Sequence, residues 1–87
     1  MPGFRINLAP SIAANQWVTL EEVFVSAGPW SRVLTTDQTI DLKQTTSTDP
    51  VSSTQTLIAG SYVISLPQGY NKVEVHSQVN ANITWRR

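Results

Sequence analysis

The sequence predicts an all-β fold: a small antiparallel β-sandwich or barrel of about seven to eight short strands. Three observations predict it. Apolar residues recur with period two along nearly the whole chain. Gly, Pro, Asn and Asp punctuate that pattern at roughly 8–12-residue intervals, as in sandwiches and barrels. No window of about 11 residues or more carries a clean helical stripe.

Each element can be justified in turn. Phe4, Ile6 and Leu8 alternate with Arg5 and Asn7, the pattern of a half-buried strand, and Pro10 stops it. Ser11 to Asn15 is small and polar, and reads as a turn or one loose helical turn. Trp17 to Leu20 starts a second strand. Val23 and Val25 flank Phe24 in a third, ended by the turn signal Ala27-Gly28-Pro29. Trp30 to Thr35 follows, and Ile40 and Leu42 bracket Asp41 in a short strand. Residues 44–56, QTTSTDPVSSTQT, are dominated by Ser and Thr. They read as a long exposed loop with scope for β-extended flanks, because such a run buries too little to offset its ordering entropy. Tyr62 to Leu66 is a strand stopped by Pro67-Gln68-Gly69. Val73 and Val75 mark the next strand, and Ile83 and Trp85 the last.

The chain has 87 residues, so a single domain spanning 1–87 is expected. A core of this size is thin, and oligomerisation or docking is a common source of added stability. There is no cysteine, hence no disulfide and no cysteine-based metal site. Six basic and six acidic residues give zero net charge. That balance predicts no electrostatic attraction to nucleic acid or to an anionic membrane, and it favours association over colloidal repulsion. Charged residues are 14% of the chain, against about 25% in typical domains. Ser, Thr, Asn and Gln take their place, at 30 of 87 residues, and suit wet, hydrogen-bonded contacts. No stretch is apolar for long enough to span a membrane, and no basic start with a long apolar run announces a signal peptide.

Little in the sequence points to chemistry. His76 is the only histidine and alternates with Val75, so it belongs on the face opposite the valines, in solvent or at an interface. No serine occupies a Gly-x-Ser-x-Gly elbow. Glu21 and Glu22 are adjacent and point to opposite faces of a strand, so only one of them could be buried with a partner. Asp37 is expected to organise the turn Thr36-Asp37-Gln38 through side-chain to backbone bonds. The four glycines are scattered and form no phosphate loop. The expectation is no enzyme, no catalytic residues, no metal and no cofactor.

The aromatic residues carry more information. Trp17 and Trp85 lie in period-two strands and are expected in the core, Trp85 in phase with Ile83. Trp30 follows Gly28-Pro29 at a turn and is the candidate exposed anchor, with Tyr70 next. Arg86 and Arg87 form a basic tip. It reads either as a solvated end or as a charged plug making forked contacts to a neighbour's carboxylates. Trp30, Tyr70, Arg86 and Arg87 are therefore the candidate interface residues.

The segment GSYVISLPQGYNKVEVHSQVNANITWRR, residues 60–87, resembles the C-terminal part of small β-rich virion proteins of tailed bacteriophages. The opening FRINLAPSIAANQWVTL, residues 4–20, is similar to them too. The resemblance is one of texture: cysteine-free, rich in Thr, Ser and Asn, and built of short strands. It implies a capsid decoration, cement or fibre-type subunit in the virion, assembled in the host cytoplasm. Repeated copies would contact capsid or tail proteins and one another as a homo-oligomer. Two other readings stand beside it: a carbohydrate-binding sandwich using Trp30 and Tyr70, and a tail or fibre-attachment component.

Overall fold

In the computed structural model, which describes residues 5–6, 11–47 and 53–87, the period-two segments pair into two antiparallel sheets. In chain order the strands are β1 (Arg5–Ile6), β2 (Ser11–Ile12), β3 (Trp17–Val25), β4 (Trp30–Thr36), β5 (Ile40–Thr46), β6 (Ser53–Leu57), β7 (Gly60–Leu66), β8 (Gly69–His76) and β9 (Ala81–Arg86). Among the described residues, seven strands have five or more residues, β1 and β2 are two-residue bridges, and there is no helix. One sheet has the order β1-β3-β8-β5-β6 and the other β2-β9-β4-β7. The two remain separate, so the fold is a β-sandwich and not a closed barrel.

The core lies between the sheets. Leu20, Val23, Val25, Leu42, Val73 and Val75 of the five-stranded sheet meet Leu34, Leu66, Ile83 and Trp85 of the other, all nearly or completely buried. Alternation along β9 is strict: Ala81, Ile83 and Trp85 point in, while Asn82, Thr84 and Arg86 point out. Removing each large apolar side chain from water contributes roughly 1.5–3 kcal/mol, so this layer drives the fold.

The segments starting at Trp17 and ending at Val25 form one nine-residue strand, not two. A β-bulge joins them: Thr19 pairs with Glu74 and Glu21 with Val73, leaving Leu20 as the extra residue. Before the bulge the even positions Val18 and Leu20 face inward. After it the odd positions Glu21, Val23 and Val25 do. The bulge reverses the phase and puts both Leu20 and Glu21 in the core.

The Ser/Thr-rich stretch also differs from the expected loop. Gln44 to Thr46 extend β5, and Ser53 to Thr56 belong to β6, pairing Gln44 with Ser53 and Lys43 with Thr54. Backbone ladder bonds supply what the side chains could not, because β8 already holds β5 through Thr46. Residues 48–52 lie outside the described residues, as do 1–4 and 7–10, which include most of the first expected strand. The Ser11–Asn15 segment contributes β2 and then a turn with Asn15 at φ 61°.

Candidate functional site

The most unusual group in the core is polar. Glu21 on β3 and Arg32 on β4 face each other across the sandwich, with side chains 1% and 4% exposed. Arg32 donates from Nε to Glu21 Oε1 at 2.8 Å and from Nη2 to Oε2 at 3.1 Å, a forked pair. Trp85 Nε1 donates to the same Oε1 at 2.9 Å. Arg32 Nη1 donates to the Ser31 carbonyl, and the guanidinium lies 5.2 Å from the centre of the Trp30 ring. The bulge on β3 brings Glu21 inward, while Arg32 and Trp85 sit at inward positions of β4 and β9. The cluster is a structural clamp between sheets, since both charges are spent on each other.

Among the described side chains, the outer face of the five-stranded sheet collects most of the remaining charge. Its cross-strand rows are Glu22–Lys72–Thr45, Thr19–Glu74–Lys43 and Trp17–His76–Asp41–Thr56, with Phe24 beside Tyr70 at one end. Lys43 Nζ and Glu74 Oε1 are 4.0 Å apart. Tyr70 donates its hydroxyl to Glu22 Oε2 at 2.7 Å. Burial of the ring, then that hydrogen bond and the charges of Glu22 and Glu74, push the Tyr70 pKa up to about 12.

Trp17 is the clearest correction to the sequence reading. It lies on this outer face, 44% exposed, and not in the core. Its ring centre is 5.1 Å from that of His76, and Lys43 Nζ is 4.3 Å from it. The physical reason is again the bulge: Trp17 lies one phase away from Val18 and Leu20, which occupy the inward positions. His76 faces opposite the valines, as expected, with Nδ1 3.4 Å from Asp41 Oδ2 but misaligned for a hydrogen bond. A cleft of about 380 Å3 opens beside His76, Asp41, Gln38, Gln78 and Val79. The Thr56 hydroxyl beside it donates to Asp41 Oδ1, so it is not set against His76 as a nucleophile. Among the described residues, no three His, Cys, Asp or Glu side chains converge on one point.

The outer face of the four-stranded sheet is entirely different. Ser31, Val33 and Thr35 from β4, Ser61, Val63 and Ser65 from β7, and Asn82, Thr84 and Arg86 from β9 occupy its outward positions. Cross-strand rows run Arg86–Val33–Val63 and Thr84–Thr35–Ser61. Arg86 is the only charged side chain in this set. The rest are short hydroxyls, one amide and two valines, with Val63 74% exposed. Short side chains on neighbouring strands make a flat surface, and interface centres are depleted in charge.

The four residues singled out in the sequence are distributed between the two faces. Trp30 is half-buried against the core and forms a cleft of about 380 Å3 with Ser31, Arg32 and Arg87. Arg86 borders the flat face, and Arg87 lies beside it at the end of the chain described. Tyr70 sits on the charged face of the other sheet, its hydroxyl taken by Glu22. Asp37 does not organise its own turn. Thr36 does, its hydroxyl donating to the Gln38 carbonyl and accepting from the Gln38 N–H. Asp37 instead accepts from the Asn82 backbone N–H at 2.8 Å and from Asn82 Nδ2 at 2.9 Å, which ties the turn to β9.

Sequence reasoning missed the flat face because it assigned surfaces strand by strand. One signal was available: no residue from Pro50 to Asn71 is charged. The fold defined by these features is a small antiparallel sandwich with one highly charged outer face and one that carries a single charge, Arg86. No known protein family, curated protein or solved structure matches this chain.

Proposed function

We propose that this chain is a non-enzymatic structural protein of a virion, a capsid decoration or cement subunit that docks onto a symmetric particle lattice. The observation that supports it is the outer face of β9, β4 and β7, where Arg86 is the one charged side chain among nine outward residues. A solvent-facing sheet ordinarily carries charge, as the opposite face of this sandwich does. A flat row of Ser, Thr and Val desolvates cheaply and offers hydroxyls for wet contacts to another surface.

The mechanism is passive. Each copy contributes a modest contact, and many copies on a repeating surface add avidity. The buried Glu21–Arg32 clamp keeps the two sheets in register while the outer face is loaded. The choice of a virion as the particle rests on the overall texture of residues 4–20 and 60–87, which resembles small virion proteins of tailed bacteriophages.

The test is quantitative mass spectrometry of purified particles, followed by rebinding of the purified chain to particles stripped of it. A fixed copy ratio to the main shell protein is expected. Val33→Glu is expected to weaken rebinding by about tenfold or more, equivalent to one 1.4 kcal/mol step, while Lys43→Glu on the opposite face leaves it unchanged. Absence of the chain from purified particles ends the proposal.

A further inference from the structure

Among the described residues, β7 is the outermost strand of the four-stranded sheet, with β4 as its one neighbour. It is seven residues long, and all seven pair with β4 without a bulge, from Trp30 with Leu66 to Thr36 with Gly60. Edge strands of this length are ordinarily blunted by lysine, proline, a bulge or a covering segment. β7 contains neither charge nor proline. Val63, at its centre, is the most exposed large apolar side chain of the described residues.

The strand is also nearly symmetric about that valine. Ser61-Tyr62-Val63-Ile64-Ser65 reads serine, large, valine, large, serine in both directions. Ser61, Val63 and Ser65 point outward, and Tyr62 and Ile64 inward. A two-fold axis through Val63, with antiparallel pairing, would place Ser61 against the second copy's Ser65, Val63 against its own mate, and Tyr62 against Ile64. On the outer face serine would meet serine and valine its mate, while on the inner face Tyr62 would meet Ile64 and Gly60 would leave room for Leu66.

We propose that β7 is a homotypic seam: two copies of this chain pair antiparallel through β7 about a two-fold axis at Val63. The seam deepens the structural role proposed above by naming one partner, and rests on that reading for its place on a particle. It joins the two four-stranded sheets into one continuous sheet and doubles the flat outer face. The central row becomes Arg86–Val33–Val63–Val63–Val33–Arg86, an apolar stripe of four valines.

Charge permits this pairing with an identical copy. The two Arg86 side chains are five strand spacings apart, about 24 Å at roughly 4.8 Å per spacing. That is well beyond the Debye length of about 8 Å at physiological ionic strength. Arg32, the nearest other cation on β4, is neutralised by Glu21 inside the core. Isologous contacts of this kind close on themselves and do not propagate into fibres. One edge group is already engaged: Gln44 Nε2 reaches from β5 to the Ser65 carbonyl at 2.7 Å. A carbonyl accepts two hydrogen bonds, so Gln44 competes with the seam without excluding it. Seven paired residues make a smaller contact than the standard interface of about 800 Å2 per partner. The free dimer is therefore weak and is reinforced by the lattice.

Sedimentation equilibrium over about 10 µM to 1 mM, the range for small interfaces, tests the seam on the intact chain. The expected mass rises from 9.6 kDa toward twice that value. Val63→Lys, which sets two ammonium groups against each other, is expected to weaken association tenfold or more. Far-ultraviolet circular dichroism checks that this variant is folded. A second measurement exploits the absence of cysteine. Directly opposed, hydrogen-bonded antiparallel residues have Cα atoms about 5.5 Å apart, within disulfide range. Val63→Cys is expected to form a dimer on mild oxidation with oxidised glutathione, while Phe24→Cys on the opposite face stays monomeric. A constant mass of one chain at every concentration overturns the seam. So does dimerisation that survives Val63→Lys, or equal cross-linking at position 24. Particle rebinding is read separately. A chain that dimerises but is absent from particles refutes the virion role and not the seam, and a particle-bound monomer does the reverse.

Discussion

Glu21 and Arg32 form a forked ion pair in the middle of the sandwich, 2.8 and 3.1 Å between donors and acceptors, with Trp85 as a third partner at 2.9 Å. Neither charge has water to fall back on. A buried pair of this kind contributes little net stability against an apolar replacement, yet losing one partner strands the other.

Arg32→Met is therefore expected to destabilise the fold by about 3–5 kcal/mol, the range for breaking a buried pair. The double variant Glu21→Leu with Arg32→Met is expected to be more stable than Arg32→Met alone. It removes the stranded carboxylate, at the cost of about 1–3 kcal/mol for the unpaired Trp85 N–H. Urea unfolding of the wild type, both single variants and the double variant measures this. Additive losses would mean that the two groups do not act as a pair.

Tyr70 supplies a pH prediction. Its folded pKa is about 12 against an ordinary 10, through burial first and then the Glu22 hydrogen bond. Between those values the unfolded chain has released the phenol proton and the folded chain retains it. Folding thus binds a proton, and the Tyr70 contribution is complete below pH 10 and lost as pH rises through 12. Ultraviolet titration of the wild type minus Tyr70→Phe isolates this phenol. A midpoint near 12 is expected, with Glu22→Gln moving it toward 10. An unmoved midpoint in Glu22→Gln would leave burial and the charge of Glu74 as the causes.

The tryptophans should be separable by fluorescence. Trp17 is 44% exposed and Trp85 1%. Iodide is expected to quench a fraction of the emission that disappears in Trp17→Phe. That variant should cost no more than about 0.5 kcal/mol, as surface changes do. Trp85→Ala, by contrast, should cost about 3–5 kcal/mol by opening a core cavity. Quenching that persists in Trp17→Phe would place another indole at the surface.

Gly69 opens β8 at φ +108°, where a side chain is strained, and an added Cβ would come 2.7 Å from Ser47 Oγ. That hydroxyl accepts the Tyr70 backbone N–H at 2.7 Å. Gly69→Ala is expected to destabilise by about 1–3 kcal/mol. Gly60→Ala should cost less: its added Cβ meets nothing nearer than the Tyr62 hydroxyl at 3.7 Å, an ordinary contact, although φ is +154° there as well. Thermal melts of the two variants give the comparison, and equal losses would contradict the crowding at Ser47.

The sequence by itself determined the all-β class, the apolar strand segments and, within each unbroken strand, which residues share a face. Ile83 with Trp85 and Val73 with Val75 point the same way because pleating has period two and depends on nothing distant. His76 opposite the valines followed for the same reason. Tertiary structure decided everything that needs a partner strand. The bulge at Leu20 exists only in the register of β3 against β8, and it puts Trp17 and Glu21, which would share a face in an unbroken strand, on opposite faces. Residues 44–46 and 53–56 became strands because β8 holds β5 and β5 holds β6, against a weak local preference. The uncharged run from Pro50 to Asn71 was visible as composition. Only strand order made part of it the edge strand of the described four-stranded sheet and part of a flat face, since a row across a sheet joins residues far apart in the chain.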